Sequence, residues 1–310
     1  MRYSPISRFR GTLLGAFLGE SLSTGNIQSQ SYLDLGRMAV LGTESLIALG
    51  RLDLDDWIAR QQQESLNLAV TDDISIKIIL ATLPVALFFH ENPIKLRQNL
   101  LHVLKIWEDD PIVRDGTLAV GYAIALALTE KLNPRTLIPQ TISFLGQTPT
   151  SIPKKLLTVQ NLLEQGAGLS RAQAEFAKEE LSNTISMAFY CFLSTLEDFR
   201  LAVLRATHNG NFMQHATPLT SQTTGAITGA LSGAYNGIGG IPVNWQLLLQ
   251  RNSPVWGLAS FSQMLKLADA FVAVWSGVYD LTLNPTELTE EGYEVALLCV
   301  YAAPRVIRSR

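Results

Sequence analysis

Charge is scarce in this sequence. Asp, Glu, Lys and Arg make up 16% of its 310 residues, and the net charge is −3. It has no run of Lys or Arg, so the electrostatic footprint of a nucleic-acid binder is missing. Cysteine is almost absent: Cys191 and Cys299 both sit in apolar runs, "FYCFL" and "LLCVY". Two such residues cannot build a disulfide framework or a cysteine zinc site, and their surroundings predict buried thiols. The four histidines are scattered. Alternating strand patterns with paired turn signals are lacking, as are uninterrupted apolar runs long enough to span a bilayer. These absences predict a cytoplasmic protein whose partners include neither nucleic acid nor a membrane.

The N-terminus "MRYSPISRFRGTLLGAFLGESLS" superficially resembles a secretory signal, with Arg2, Arg8 and Arg10 ahead of "TLLGAFLG". The apolar run is short, contains Gly15 and Gly19, and is followed at once by Glu20. No small-x-small cleavage site follows, so a buried helix is expected instead.

What the chain has is apolar matter in helical spacing. Hydrophobic residues make up 47%, enough for a sizeable core. "RMAVLGTESLIALG" puts Met38, Leu41, Ser45, Leu46 and Leu49 on one side of a helix. "DDISIKIILATLPVALFFH" predicts a central helix broken near Pro84. "RDGTLAVGYAIALALTEKL" stops before Asn133-Pro134, and "SRAQAEFAKEELSNTISMAFYCFLSTL" reads as several turns capped by Ser170. "TEEGYEVALLCVYA" reads as a last buried helix, and "WEDDP" as a solvated loop. No linker or internal repeat divides the chain, so one all-α domain over residues 1–310 is expected.

One block stands apart: "PLTSQTTGAITGALSGAYNGIGGIPVNW", residues 218–245. Gly225, Gly229, Gly233 and Gly237 recur every four residues, with Thr224, Thr228, Ser232 and Asn236 just before them. Such glycines form a groove along one helix face. Each costs about 1 kcal/mol relative to Ala, which close backbone packing must offset. The hydroxyl stripe can bond back to the preceding turn or across to a neighbour. At the start, Thr220, Ser221, Thr223 and Thr224 sit where backbone N–H groups lack partners, so capping is the expected role and anion binding the alternative.

These blocks resemble the ADP-ribosylglycohydrolases. "RFRGTLLGAFLGESL" (8–22) looks like their opening helix, and "MAVLGTESLIALGRLDLDDW" (38–57) resembles their second motif region. "ISMAFYCFLSTLEDFRLAVLRAT" (185–207) and "TTGAITGALSGAYNGIGGIPVNW" (223–245) resemble the segments around their last metal motif. The resemblance implies a compact orthogonal multi-helix bundle. It also implies hydrolysis of the glycosidic bond to ADP-ribose by paired magnesium or manganese ions, held by a Thr-Asp-Asp-Thr motif and a late Gly-Gly-Asp-x-Asp-Thr motif.

The motif positions depart from that pattern. The late motif falls on "PLTSQTT": Thr220 and Gln222 take the places of the two aspartates, and Thr223 matches the metal-binding Thr. The early motif falls on "LDLG", where only Asp34 remains and Gly36 replaces the last Thr. The family's opening Gly-Asp becomes Gly19-Glu20, the acidic position beyond it falls on Ile27, and the middle Asn-Gly-x-x-x-Arg falls on "IKIILA" with Ile76 for Asn. Two divalent cations need several carboxylate oxygens, and this set supplies too few.

The expectation is therefore a non-catalytic binding or assembly protein without a metal cofactor. Its vestigial cleft would be lined by Glu20, Asp34, Thr220, Ser221, Gln222 and Thr223, and its partner would be a protein or a small nucleotide-like ligand. The alternative is an active hydrolase with a relocated or single-metal site, using Asp34, or Asp72 and Asp73 of "TDDIS", with Thr223 and magnesium or manganese. A third reading is a metal-free anion binder at "TSQTT". His208 and His215 flank an added loop beside this region and read as loop residues without a specific role.

Overall fold

The computed structural model describes residues 3–23, 33–64, 74–107, 110–178, 180–207, 218–251, 256–258 and 260–278. Within these, the side chains of 33–35, 74–77, 218–219 and 248–251 are not described. The expectations for Thr71, Asp72, Asp73, Ile27, His208, His215, Cys299 and the last helix fall outside the described residues, as do the side chains of Asp34 and Ile76.

The fold is all-α, as its spacing predicts. The first half comprises α1 (Pro5–Ser23), α2 (Leu33–Leu49), α3 (Leu54–Gln63), α4 (Ile74–Ala81), α5 (Leu83–Phe89), α6 (Pro93–Val103) and α7 (Pro111–Leu128). The second comprises α8 (Leu137–Leu145), α9 (Ile152–Glu164), α10 (Leu169–Glu175), α11 (Leu181–Ser194), α12 (Phe199–Thr207), α13 (Pro218–Asn236), α14 (Val243–Arg251) and α15 (Phe261–Ser276). No strand is formed among the described residues. One continuous cluster of buried side chains runs from Phe9 on α1 to Val272 on α15. By length and composition α7 could cross a membrane, but 72% of it is buried inside the fold.

Several local expectations need correction. The helix beginning near Ser170 is two helices, α10 and α11, and Gly168 rather than Ser170 holds the cap position. Asp110 of "WEDDP" is not merely solvated: its carboxylate accepts from the Ile112 N–H and caps α7, with Pro111 at the first helical position. Leu49 is exposed, whereas Met38, Leu41, Ser45 and Leu46 are buried. The break near Pro84 falls at Thr82, between α4 and α5.

The centre of the fold is the pair α1–α13, which run antiparallel. Gly11 faces Gly233, Gly15 faces Gly229 and Gly19 faces Gly225. A methyl added at Gly15 would lie 2.8 Å from the Gly229 carbonyl carbon, and one at Gly225 would lie 2.9 Å from that of Gly19. The opposing surface is backbone in each case, so only glycine permits this approach. The four-residue glycine rhythm of α13 is therefore matched by one on α1, at Gly11, Gly15 and Gly19.

The hydroxyl stripe of α13 works in both expected ways. Thr224 Oγ1 donates back to the Thr220 carbonyl at 2.8 Å. Thr228 Oγ1 reaches across to Ala188 on α11, and Asn236 Nδ2 donates to the Leu196 carbonyl at 2.9 Å. Both crossings join residues 40 apart in number, so α11 and α13 lie parallel. Gly237, at φ 63, ends the helix in the left-handed region.

Candidate functional site

The antiparallel pairing sets the site. It brings the end of α1, with Glu20 and Ser23, beside the start of α13, with Thr220 to Thr224. Ser23 Oγ lies 3.1 Å from the Ser221 carbonyl and 2.9 Å from that of Gly19, tying the two helix ends together. Ser221, Gln222, Thr223 and Thr224 are all buried, and Thr220 is half-buried. The helix begins at Pro218, so these hydroxyls lie within its first two turns rather than at the cap position. Thr224 accordingly bonds to a carbonyl of the preceding turn instead of capping an N–H.

Glu20 stands near the end of α1, and Ser221, Gln222 and Thr223 stand near the start of α13, the two helix ends that Gly19 and Gly225 bring together. Asp34 lies in the first turn of α2. The remaining alternatives, Asp72 and Asp73, lie outside the described residues.

Trp256 was not anticipated, and it dominates the site. Its indole Nε1–H donates to Glu20 Oε2 at 2.7 Å, and both residues are buried. Phe17 packs edge-on to the indole at 5.9 Å between ring centroids. A side chain at Gly36 would fall inside the indole ring. The indole and any side chain at residue 36 are therefore mutually exclusive.

The turn carrying Trp256 is unusual. Trp256 has φ 50 and Gly257 has φ 76, so two consecutive residues lie in the left-handed region. A bulky residue there costs roughly 1–2 kcal/mol, so the surroundings must hold it. Glu20 holds the indole from one side. On the other, Arg37 of α2 lies against Gly257, where an added methyl would meet its Cδ at 2.5 Å. Arg37 is itself fixed by a two-pronged ion pair with Glu64, whose Oε2 accepts from Nε at 2.6 Å, and by Glu44 at 3.5 Å. Hydrogen bonding to Arg37 holds the Glu64 carboxyl below its usual range, while burial pushes the Glu44 carboxyl up. No sequence pattern marks Trp256, and its partner Glu20 is 236 residues away.

Gln222 is the second finding. It is only 3% exposed, and neither Oε1 nor Nε2 has a hydrogen-bond partner among the described residues. A buried carboxamide left unpaired is costly and marks a place where water or a ligand group is accommodated. Nearby, a cavity of about 20 Å³, the size of one water, lies between the starts of α11 and α13. Thr184, Thr220, Ser221 and Thr224 line it together with Asn183, whose Oδ1 also lacks a partner among the described residues.

No curated protein matches the sequence. The family model described as ADP-ribosylglycohydrolase matches residues 1–280, nearly the whole chain. With its all-α fold and its paired glycine helices, the chain belongs to the ADP-ribosylglycohydrolase family.

Proposed function

We propose that this protein is a family member that has lost the dinuclear metal site and with it the hydrolase activity. On this reading it is a single cytoplasmic domain acting in binding or assembly. The observation that carries the reading is the Trp256–Glu20 contact. The one described carboxylate at a motif position is occupied by an indole N–H at 2.7 Å. The same indole fills the space beside Gly36, where the family pattern has a metal-binding Thr.

The donor chemistry supports the reading. Magnesium and manganese take six oxygen ligands with carboxylate charge among them. At the late motif stand Thr220, Gln222 and Thr223, all neutral, and the early motif keeps Asp34 alone. Among the described residues no group of three or more His, Cys, Asp or Glu is placed to hold an ion. These donors do not fit a pair of divalent cations, and no catalytic step is assigned through one. The unpartnered Gln222 carboxamide suits a ligand that both donates and accepts hydrogen bonds, such as a nucleotide-like molecule or a protein backbone.

The test is an assay of ADP-ribose release from an arginine-ADP-ribosylated protein with magnesium or manganese. The expected result is release no faster than in the no-enzyme control, for both the native protein and the Glu20→Gln variant. Metal-dependent release that is lost in Glu20→Gln, or in variants of Asp34, Asp72 or Asp73, would establish the hydrolase reading instead.

A further inference from the structure

A larger cleft opens away from the start of α13, where the second halves of α9 and α11 meet the beginning of α8. Its volume is about 730 Å³, within the range of small-molecule sites. The cleft is centred on Tyr190 and Ser194 of α11, whereas the narrow cavity by α13 is lined by Asn183 and Thr184. Ten residues of helix separate Thr184 from Ser194, about 15 Å along the axis. Arg205 borders both cavities, but no other lining residue is shared, and no residue at a metal-motif position lines the cleft.

Its chemistry is specific. Ile138, Leu163 and the ring of Tyr190 form apolar walls. Two guanidinium groups, Arg135 and Arg205, line it as well. Arg205 is half-buried and gives one hydrogen bond, from Nη1 to Ser194 Oγ at 2.9 Å, out of the five N–H donors a guanidinium carries. The exposed Arg135 guanidinium has no hydrogen bond or ion pair among the described residues. The one acid lining the cleft, Glu164, accepts from Gln160 Nε2 at 2.8 Å. Gln160 itself lines the cleft, and its buried Oε1 has no hydrogen-bond partner among the described residues.

The wall opposite is held in place. Tyr190 donates its hydroxyl to the Ala167 carbonyl at 2.5 Å, pinning the Gly166–Gly168 turn. A methyl at Gly166 or Gly168 would meet nothing within 4 Å. The cleft thus presents an excess of positive charge, a buried hydrogen-bond acceptor lacking a donor, and apolar walls.

We propose that this cleft binds a small organic acid: an apolar body carrying one anionic group for Arg135 and Arg205, and one N–H or O–H donor for Gln160 Oε1. Charge-assisted bonds to the guanidiniums supply orientation, and the apolar walls supply contact area.

The probe is 8-anilinonaphthalene-1-sulfonate, which has an aromatic body, a sulfonate and one N–H. Fluorescence titration of the native full-length chain is expected to show one saturable site. Arg135→Gln and Arg205→Gln are each expected to weaken it by about tenfold. N-phenyl-1-naphthylamine, the same body without the sulfonate, is expected to bind both variants as it binds the native chain. Arg135 is exposed, so Arg135→Gln decides the matter even if Arg205→Gln fails to fold. Absence of saturable binding, unchanged affinity in Arg135→Gln, or equal weakening of the uncharged probe would each overturn the proposal.

Discussion

Replacing Gly15 by alanine sets two opposing effects against each other. In an isolated helix, Ala in place of Gly stabilises by about 1 kcal/mol. In this fold the new methyl would lie 2.8 Å from the Gly229 carbonyl carbon and nearer still to its oxygen. Ordinary contact begins at 3.4 Å, so α1 and α13 must part by at least 0.6 Å at this level. No side chain can rotate away to make room, because the obstacle is the backbone of a hydrogen-bonded helix. Gaps of this size forfeit a quarter or more of each atom pair's dispersion energy along the interface. Overpacking against movable side chains already costs about 1–3 kcal/mol, so a net loss of about 2–4 kcal/mol is expected here. For a chain of this length that lowers Tm by roughly 3–6 °C, measured by circular dichroism. Gly15→Ala combined with Gly229→Ala should cost less than the two single changes together, since the helices need part only once. Gly168→Ala, whose methyl enters open space, should cost no more than the roughly 1 kcal/mol of a weakened helix cap. A Gly15→Ala protein as stable as the native one, or more stable, would refute the close-packing argument.

Three further outcomes follow from the same contacts. Trp256→Phe keeps an aromatic ring, though a smaller one, but removes the N–H from Glu20, and should cost at least about 2 kcal/mol in chemical denaturation. In a Glu20→Gln background the same change should cost clearly less. Asn236→Ala removes the bonds to Leu196 and Ser232 and should lower stability by about 1–2 kcal/mol. His90 is buried between Phe9 and Trp275, and desolvation pushes its pKa down to about 4. The unfolded chain takes up that proton near pH 6.5, so only the unfolded state gains it between about pH 6.5 and 4. Stability is therefore full above that window and falls by about 3 kcal/mol as the pH drops through it. His90→Phe should flatten this part of the pH–stability curve, and an unchanged slope would remove His90 as its source.

The helical class was legible because the apolar residues keep a 3.6-residue period almost everywhere. The glycine stripe of α13 was legible for the same reason, since its spacing alone demands a close neighbour. Its partner was harder to see: Gly11, Gly15 and Gly19 carry the same rhythm, but they are masked by the bulky residues of "TLLGAFLG". Pairing two four-residue glycine runs in one chain would have predicted the contact. The grouping of Glu20 with Ser221, Gln222 and Thr223 followed from the family motifs rather than from any local property. Trp256 escaped altogether, because a lone aromatic in "SPVWGLAS" carries no period and its role depends on contacts far away in sequence. The split of α10 from α11 was also hidden, as the intervening "FAKEE" keeps helical propensity while the tertiary packing interrupts it.

The central claim is that the scaffold persists without its metal pair, and manganese titration by calorimetry tests it most directly. With the native chain, with and without ADP-ribose, the account predicts no saturable metal binding up to roughly millimolar manganese. Two manganese ions bound per chain at micromolar affinity, accompanied by a rise in Tm, would contradict it.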